Sequence, residues 1–117
     1  MRHLTKTTRI ASSASHKVSL MRNLAMALII YEKIKTTEAK ARAVTPFVTK
    51  LIDIAKKKEK RIAIREITAL LQHENSSRKI LEVYAEKYKD RTSGYTRSTK
   101  LGYRNGDNAP VVQLELI

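Results

Sequence analysis

The chain has no cysteine and no tryptophan, and only three glycines, two prolines and one phenylalanine among its 117 residues. Without cysteine there can be no disulfide, no thiolate metal site and no cysteine nucleophile, a composition that fits a reducing compartment. Long apolar runs are missing as well. The longest, Leu24 to Tyr31, falls far short of the roughly 18–20 residues that a membrane span needs. The N-terminus shows neither an apolar signal core nor the amphipathic pattern of a transit peptide, so the expected location is the cytoplasm, or an organelle that encodes the chain itself.

Acid is scarce. Twenty-four Lys and Arg stand against 11 Asp and Glu, a net charge of +13. At this length the chain forms one domain that buries roughly two thirds of its unfolded surface. On so small a body, such an imbalance stores self-repulsion that a polyanion relieves, and nucleic acid is the commonest one. The charge is also unevenly placed: Arg2, Lys6, Arg9, Lys17 and Arg22 precede the first acid, Glu32. The middle of the chain mixes both signs.

Catalytic patterns are absent too. No nucleophile stands beside a base, no carboxylate pair suggests acid–base work, and no glycine-rich loop could cradle a nucleotide. His3 and His16 lack a third ligand at metal-binding spacing. Asp107 and Asn108 lack the regular oxygen spacing of a calcium loop and read instead as a turn whose carboxylate bonds its own backbone. The expectation is a non-enzyme with no cofactor, no metal and no small-molecule substrate.

Along the chain, residues 1–15 are polar and Ser/Thr-rich without helical period, and predict an extended arm whose Arg2, Lys6 and Arg9 are spaced to follow phosphates. Residues 16–117 predict a single globular domain. Ser15 is placed to cap a first helix whose stripe is Leu20, Met21, Leu24, Ala27, Leu28 and Tyr31, with Lys17 and Arg22 off that stripe. Ile34 between two lysines marks a short strand. Thr36 or Thr37 caps a second helix with Val44, Val48, Leu51 and Ile52 on its buried face, bent but not broken at Pro46. The run Lys56–Arg61 reads as a turn, solvated or touching RNA. A third helix over Ile62 to Leu71 and a fourth over Ile80 to Tyr88 follow, with Asn75 and Ser76 as cap candidates between them. Glu82, Glu86 and Asp90 line the outer side of the fourth.

The C-terminal stretch is the most telling. A basic strand ending at Arg104, the polar turn Asn105 to Pro110, and the alternation of Val112, Leu114 and Leu116 with Gln113 and Glu115 predict a hairpin with one face for a core. Its first strand carries Arg97, Lys100 and Arg104, suited to phosphate. Tyr95 and Tyr103, an even number of positions apart, predict one strand face, as half-buried sheet residues or as stacking platforms for unpaired bases. The whole predicts an α+β fold, about four helices packed on a small three-stranded sheet, with an extended basic arm.

Met1-Arg2-His3, Ser15-His16-Lys17 with Arg22-Asn23-Leu24, Ile34-Lys35-Thr36-Thr37, Gly94-Tyr95-Thr96-Arg97 and Gly106-Asp107-Asn108-Ala109-Pro110 occur in one order across the chain. Together they resemble the bacterial large-subunit ribosomal protein seventeen family. The resemblance implies a structural constituent of the large ribosomal subunit that binds and stabilises folded rRNA, with neighbouring ribosomal proteins near the exit-tunnel side and no membrane partner. Carried over, Arg2, His3, His16, Lys17, Arg22 and Asn23 are arm and first-helix RNA contacts. Lys35, Thr36 and Thr37 are contacts at the capped turn, and Arg97, Lys100 and Arg104 contacts from the hairpin. Two other readings stay open. A regulatory nucleic-acid binder would present a recognition helix, whereas these cations are spread over an arm, a helix and a hairpin. A membrane-surface protein would line one helix with cations beside exposed apolar residues.

Overall fold

The computed structural model describes residues 10–117. Four helical segments and a three-stranded antiparallel sheet form an α+β domain: α1 Ala14–Tyr31, β1 Lys33–Thr37, α2 Glu38–Lys57, α3 Lys60–Leu71, α4 over 74–87, β2 Thr96–Tyr103 and β3 Pro110–Leu116. The last strand in sequence is central, the order being β1-β3-β2. Pro110 is tolerated there because it is the first residue of its strand, where a missing N–H costs least.

Helix α1 starts earlier than its pattern suggests. Ser13, not Ser15, is the N-cap, its hydroxyl accepting the His16 N–H at 3.2 Å. The buried face is also rotated from the expected stripe: Ala25, Leu28 and Ile29 are fully buried, whereas Tyr31 is 74% exposed. The helix ends at Glu32, held in the left-handed region at φ 65°. That conformation is uncommon without glycine; the Glu32 carboxylate lies 3.7 Å from the Lys79 ammonium and 3.4 Å from the Tyr84 hydroxyl oxygen.

Helix α2 runs unbroken through Pro46, whose ring is exposed, while Thr45 donates its hydroxyl to the Ala41 carbonyl. At the start of α4 the cap is neither Asn75 nor Ser76 but His73. Its Nδ1 accepts the Ser76 N–H at 3.2 Å, as a capping carboxylate would, and both buried serines donate their hydroxyls to the His73 carbonyl. Within α4, Ile80–Tyr84 is a π turn: the Ala85 N–H reaches back five residues to Ile80. The extra residue widens the turn so that Ile80, Tyr84 and Tyr88 all stay buried while Val83 faces out.

Three tyrosines then lock the layers. Tyr84 donates to the Ile29 carbonyl of α1 at 2.6 Å, Tyr88 to the C-terminal Ile117 carbonyl at 3.1 Å, and Tyr95 to Asp53 of α2 at 2.7 Å. Tyr84 and Tyr88 stack with centroids 5.8 Å apart, and Tyr88 meets Tyr95 at a tilt of 54° with centroids 5.0 Å apart, contacts that add about 0.5–1.5 kcal/mol per pair beyond burial. Burial, and then the Glu32 carboxylate, push the Tyr84 phenol well above its ordinary pKa. Helices α1 and α2 cover one face of β1 and β3, where Val112, Leu114 and Leu116 close the core. Among the described residues no helix covers the other face.

Candidate nucleic-acid interface

Side chains alternate across a strand, and the register shows which residues reach the bare face. Cross-strand rows run Lys33–Glu115–Arg97 and Lys35–Gln113–Thr99. Their inner counterparts, Ile34–Leu114–Ser98 and Thr36–Val112–Lys100, point to the helix side. The helix-free face thus carries Lys33, Lys35 and Arg97 against the single carboxylate Glu115, which lies 3.7 Å from the Arg97 guanidinium. Lys33 was not among the residues expected from sequence; the alternation that placed Ile34 between two lysines is the signal that finds it.

Strand β2 reaches past the helices. Every residue from Arg97 to Asn108 is exposed, so the hairpin is open on both sides. A β-bulge between Lys100 and Gly102 puts Leu101 out of register, with Gly102 at φ 125°. The bulge changes the parity of everything beyond it. Tyr103 therefore falls on the Lys100 row and is 71% exposed, while Tyr95, ahead of the strand, is completely buried. The expected shared face for the two tyrosines is overturned: Tyr95 is core, and Tyr103 is the exposed ring between Lys100 and Arg104.

The hairpin tip is rigid. Arg104 grips Asp107 through two hydrogen bonds, at 3.1 and 2.5 Å, and Asp107 also accepts the Ala109 N–H at 3.3 Å. Backbone bonds between Arg104 and both Asn108 and Ala109 close the loop, with Gly106 and Asn108 supplying positive φ. The Arg104 guanidinium holds the Asp107 carboxyl down to about 2, and the carboxylate in turn raises the arginine. Arg104 is thus a partly neutralised cation, while Lys100 is exposed and makes no ion pair among the described residues.

The remaining expected contacts are dispersed. His16 is exposed and Lys17 half-buried in the first turn of α1, and Asn23 is exposed farther along. Arg22 turns inward at the junction with α3, its Nε donating to the Leu70 carbonyl at 2.8 Å and Nη1 to Gln72 at 3.2 Å. Thr36 is half-buried on the inner row, and Thr37 is the N-cap of α2 without a side-chain capping bond. The structure therefore brings together Lys35, Arg97, Lys100 and Arg104 on the sheet and hairpin, and leaves His16, Lys17, Arg22 and Asn23 on α1. Arg2, His3, Lys6 and Arg9 lie outside the described residues.

The family profile of ribosomal protein L17 matches residues 20–117. Among curated relatives, proteins named large ribosomal subunit protein bL17 align over the whole chain. That of Hyphomonas neptunium is 40% identical over 117 residues, covering 83% of the relative. That of Novosphingobium aromaticivorans is 41% identical over 120 residues, covering 82%. That of Neorickettsia sennetsu is 37% identical, with both chains covered end to end. A profile match over most of the chain and full-length relatives at this identity define its kinship: the chain belongs to the ribosomal protein L17 family.

Proposed function

We propose that the protein is a non-enzymatic structural constituent of the large ribosomal subunit, working in the cytoplasm, and that it holds folded rRNA through the bare sheet face, the hairpin and the N-terminal region. The observation that carries the reading is the helix-free sheet face running into a hairpin exposed on both sides, with Lys33, Lys35, Arg97, Lys100 and Arg104 set against Glu115 and Asp107. Its mechanism is neutralisation of phosphates with release of counterions, read through RNA shape rather than base sequence. Arg97 and Arg104 would be fixed contacts, each oriented by an acid, and Lys33, Lys35 and Lys100 mobile ones.

The residues ahead of the Ser13 cap would extend the same logic, with Arg2, His3, Lys6 and Arg9 as further backbone contacts leading into His16 and Lys17. Neighbouring large-subunit proteins, on the exit-tunnel side, would cover the remaining surface. The test is sedimentation of the tagged native protein from a cell lysate at low and moderate salt. Retention with the large-subunit peak through moderate salt is expected; migration in the light fractions or with DNA would overturn the reading.

A further inference from the structure

Where α2 and α4 end side by side, a cavity of about 290 Å³ is lined by Lys56, Lys57, Ala85, Lys89, Arg91 and Thr92. Four of these six are cations and none is an acid. Lysines in the last turn of a helix ordinarily answer its carbonyl ends, and Lys56 does so. Its ammonium donates to the Arg91 carbonyl and, at 2.7 Å, to the Tyr95 hydroxyl. Arg91 is held as well, its Nη1 donating to the Gly94 carbonyl at 3.1 Å. Lys57 and Lys89 have no such duty. Both are exposed, and among the described residues neither makes an ion pair.

The nearby acids do not neutralise the group. Asp53 is taken by the Tyr95 hydroxyl, and Glu86 and Asp90 are exposed without lining the cavity. Two cations held by internal hydrogen bonds, Lys56 and Arg91, two without an ion pair, Lys57 and Lys89, and Thr92 therefore line a space large enough for a phosphodiester. The run Lys56–Arg61 splits accordingly: Lys56 and Lys57 line the cavity, whereas Lys58 turns away to Glu66 at 2.6 Å.

We infer that this cavity is a second docking site for an RNA backbone phosphate, separate from the sheet face and resting on the rRNA-binding reading above. An arginine with a fixed orientation supplies directed N–H donors, and flexible lysines close over the anion as point charges.

The test is the double variant Lys57→Ala/Lys89→Ala in the full chain, which leaves Lys56 and Arg91 at their internal bonds. Arg61→Ala/Arg65→Ala, exposed cations of α3, is the charge-matched control. Against a large-subunit rRNA transcript, the double variant should lower the slope of log affinity on log salt by about one, and the control should change it by less than half as much. Inorganic pyrophosphate should raise the Tm of the wild type and of the control but not of the double variant. If wild type and double variant bind the transcript with equal slopes, the cavity assignment is overturned and the rRNA reading stands. An equal loss in the control pair overturns it too, as bulk charge. Should the wild type fail to bind rRNA while pyrophosphate still protects it through Lys57 and Lys89, the cavity is a free-anion site and the RNA assignment falls.

Discussion

Replacing Lys33, Lys35 and Arg97 together by alanine strips the bare sheet face of its cations while leaving the core untouched. The first two are exposed and make no ion pair among the described residues. Arg97 is 61% exposed and loses only its 3.7 Å pairing with Glu115, a type of contact worth about 0–1 kcal/mol. Stability should therefore fall by less than about 1 kcal/mol, a Tm shift of a few degrees at this chain length. Binding should respond far more. Each lost phosphate contact removes about 0.7–0.9 from the slope of log affinity on log salt, so three contacts remove about 2–2.7. Over a fourfold rise in salt, from about 50 to 200 mM, the ratio of wild-type to variant affinity should shrink by about 20–40-fold. Because Glu115 already offsets part of the Arg97 charge, the lower end of that range is expected. Fluorescence anisotropy with a labelled large-subunit rRNA transcript, run at four or five salt concentrations, measures both slopes. Parallel lines for wild type and variant, with the fold intact by circular dichroism, would refute the assignment of the sheet face.

Glu115→Gln should act in the opposite direction, tightening RNA binding at low salt and steepening the salt slope; a weaker complex would mean that the carboxylate orients Arg97 more than it repels phosphate. Tyr84→Phe removes the donor to the Ile29 carbonyl and should cost about 1–3 kcal/mol, read by urea unfolding, whereas a change below about 0.5 kcal/mol, the level of neutral surface substitutions, would show that water replaces the bond. The Asp107 carboxyl should titrate near 2 by NMR. Its folded pKa lies below the unfolded value of about 3.9, so the hairpin clasp contributes fully above that pH and is lost as pH falls towards 2. A midpoint near 4 would show that Arg104 is not holding it in solution.

Much of this was legible in the residues because it rests on periodicity. The alternation in β3, the stripe of α2, the number of elements and the hairpin turn follow from hydrophobic pattern and turn chemistry, and each is found where the pattern puts it. What pattern could not give was parity and phase. The bulge at Leu101 is one residue in an exposed strand, where no buried face fixes the register, and it separates Tyr103 from the position that counting assigns. The phase of α1 shifted because Ala25 and Ile29, not Tyr31, fit against the neighbouring helices. The π turn and the His73 cap are tertiary solutions without a local signature: a histidine accepts a capping bond only when its tautomer and burial suit, and neither is written in the neighbouring sequence. The candidate interface divided in the same way. Lys35 and Arg97 share a face because strands alternate, but Arg22 turned inward to α3 for partners nearly fifty residues away.

The few acids explain why the basic faces remain open. Glu32, Glu38, Glu66 and Asp107 each sit against a particular cation, and Asp53 is taken up by Tyr95. Three more exposed carboxylates lie on α4, where Glu74 and Glu86 make no ion pair among the described residues and Glu82 lies 3.9 Å from Arg78, on a helix that packs chiefly against other helices. Among the described residues, Glu115 is the one acid on the helix-free sheet face. On α4 the three acids are balanced by Arg78, Lys79 and Lys87, so a polyanion would be drawn chiefly to the sheet and hairpin, and such a field would orient the molecule before any contact forms. Orientation by field also constrains substitution: reversing Arg97 to Glu would set a second carboxylate beside Glu115, across the strand pair, and turn the central row from net positive to net negative. Such a change costs more than the loss of one phosphate contact, because like charges directly opposite in a sheet destabilise the strand pairing as well.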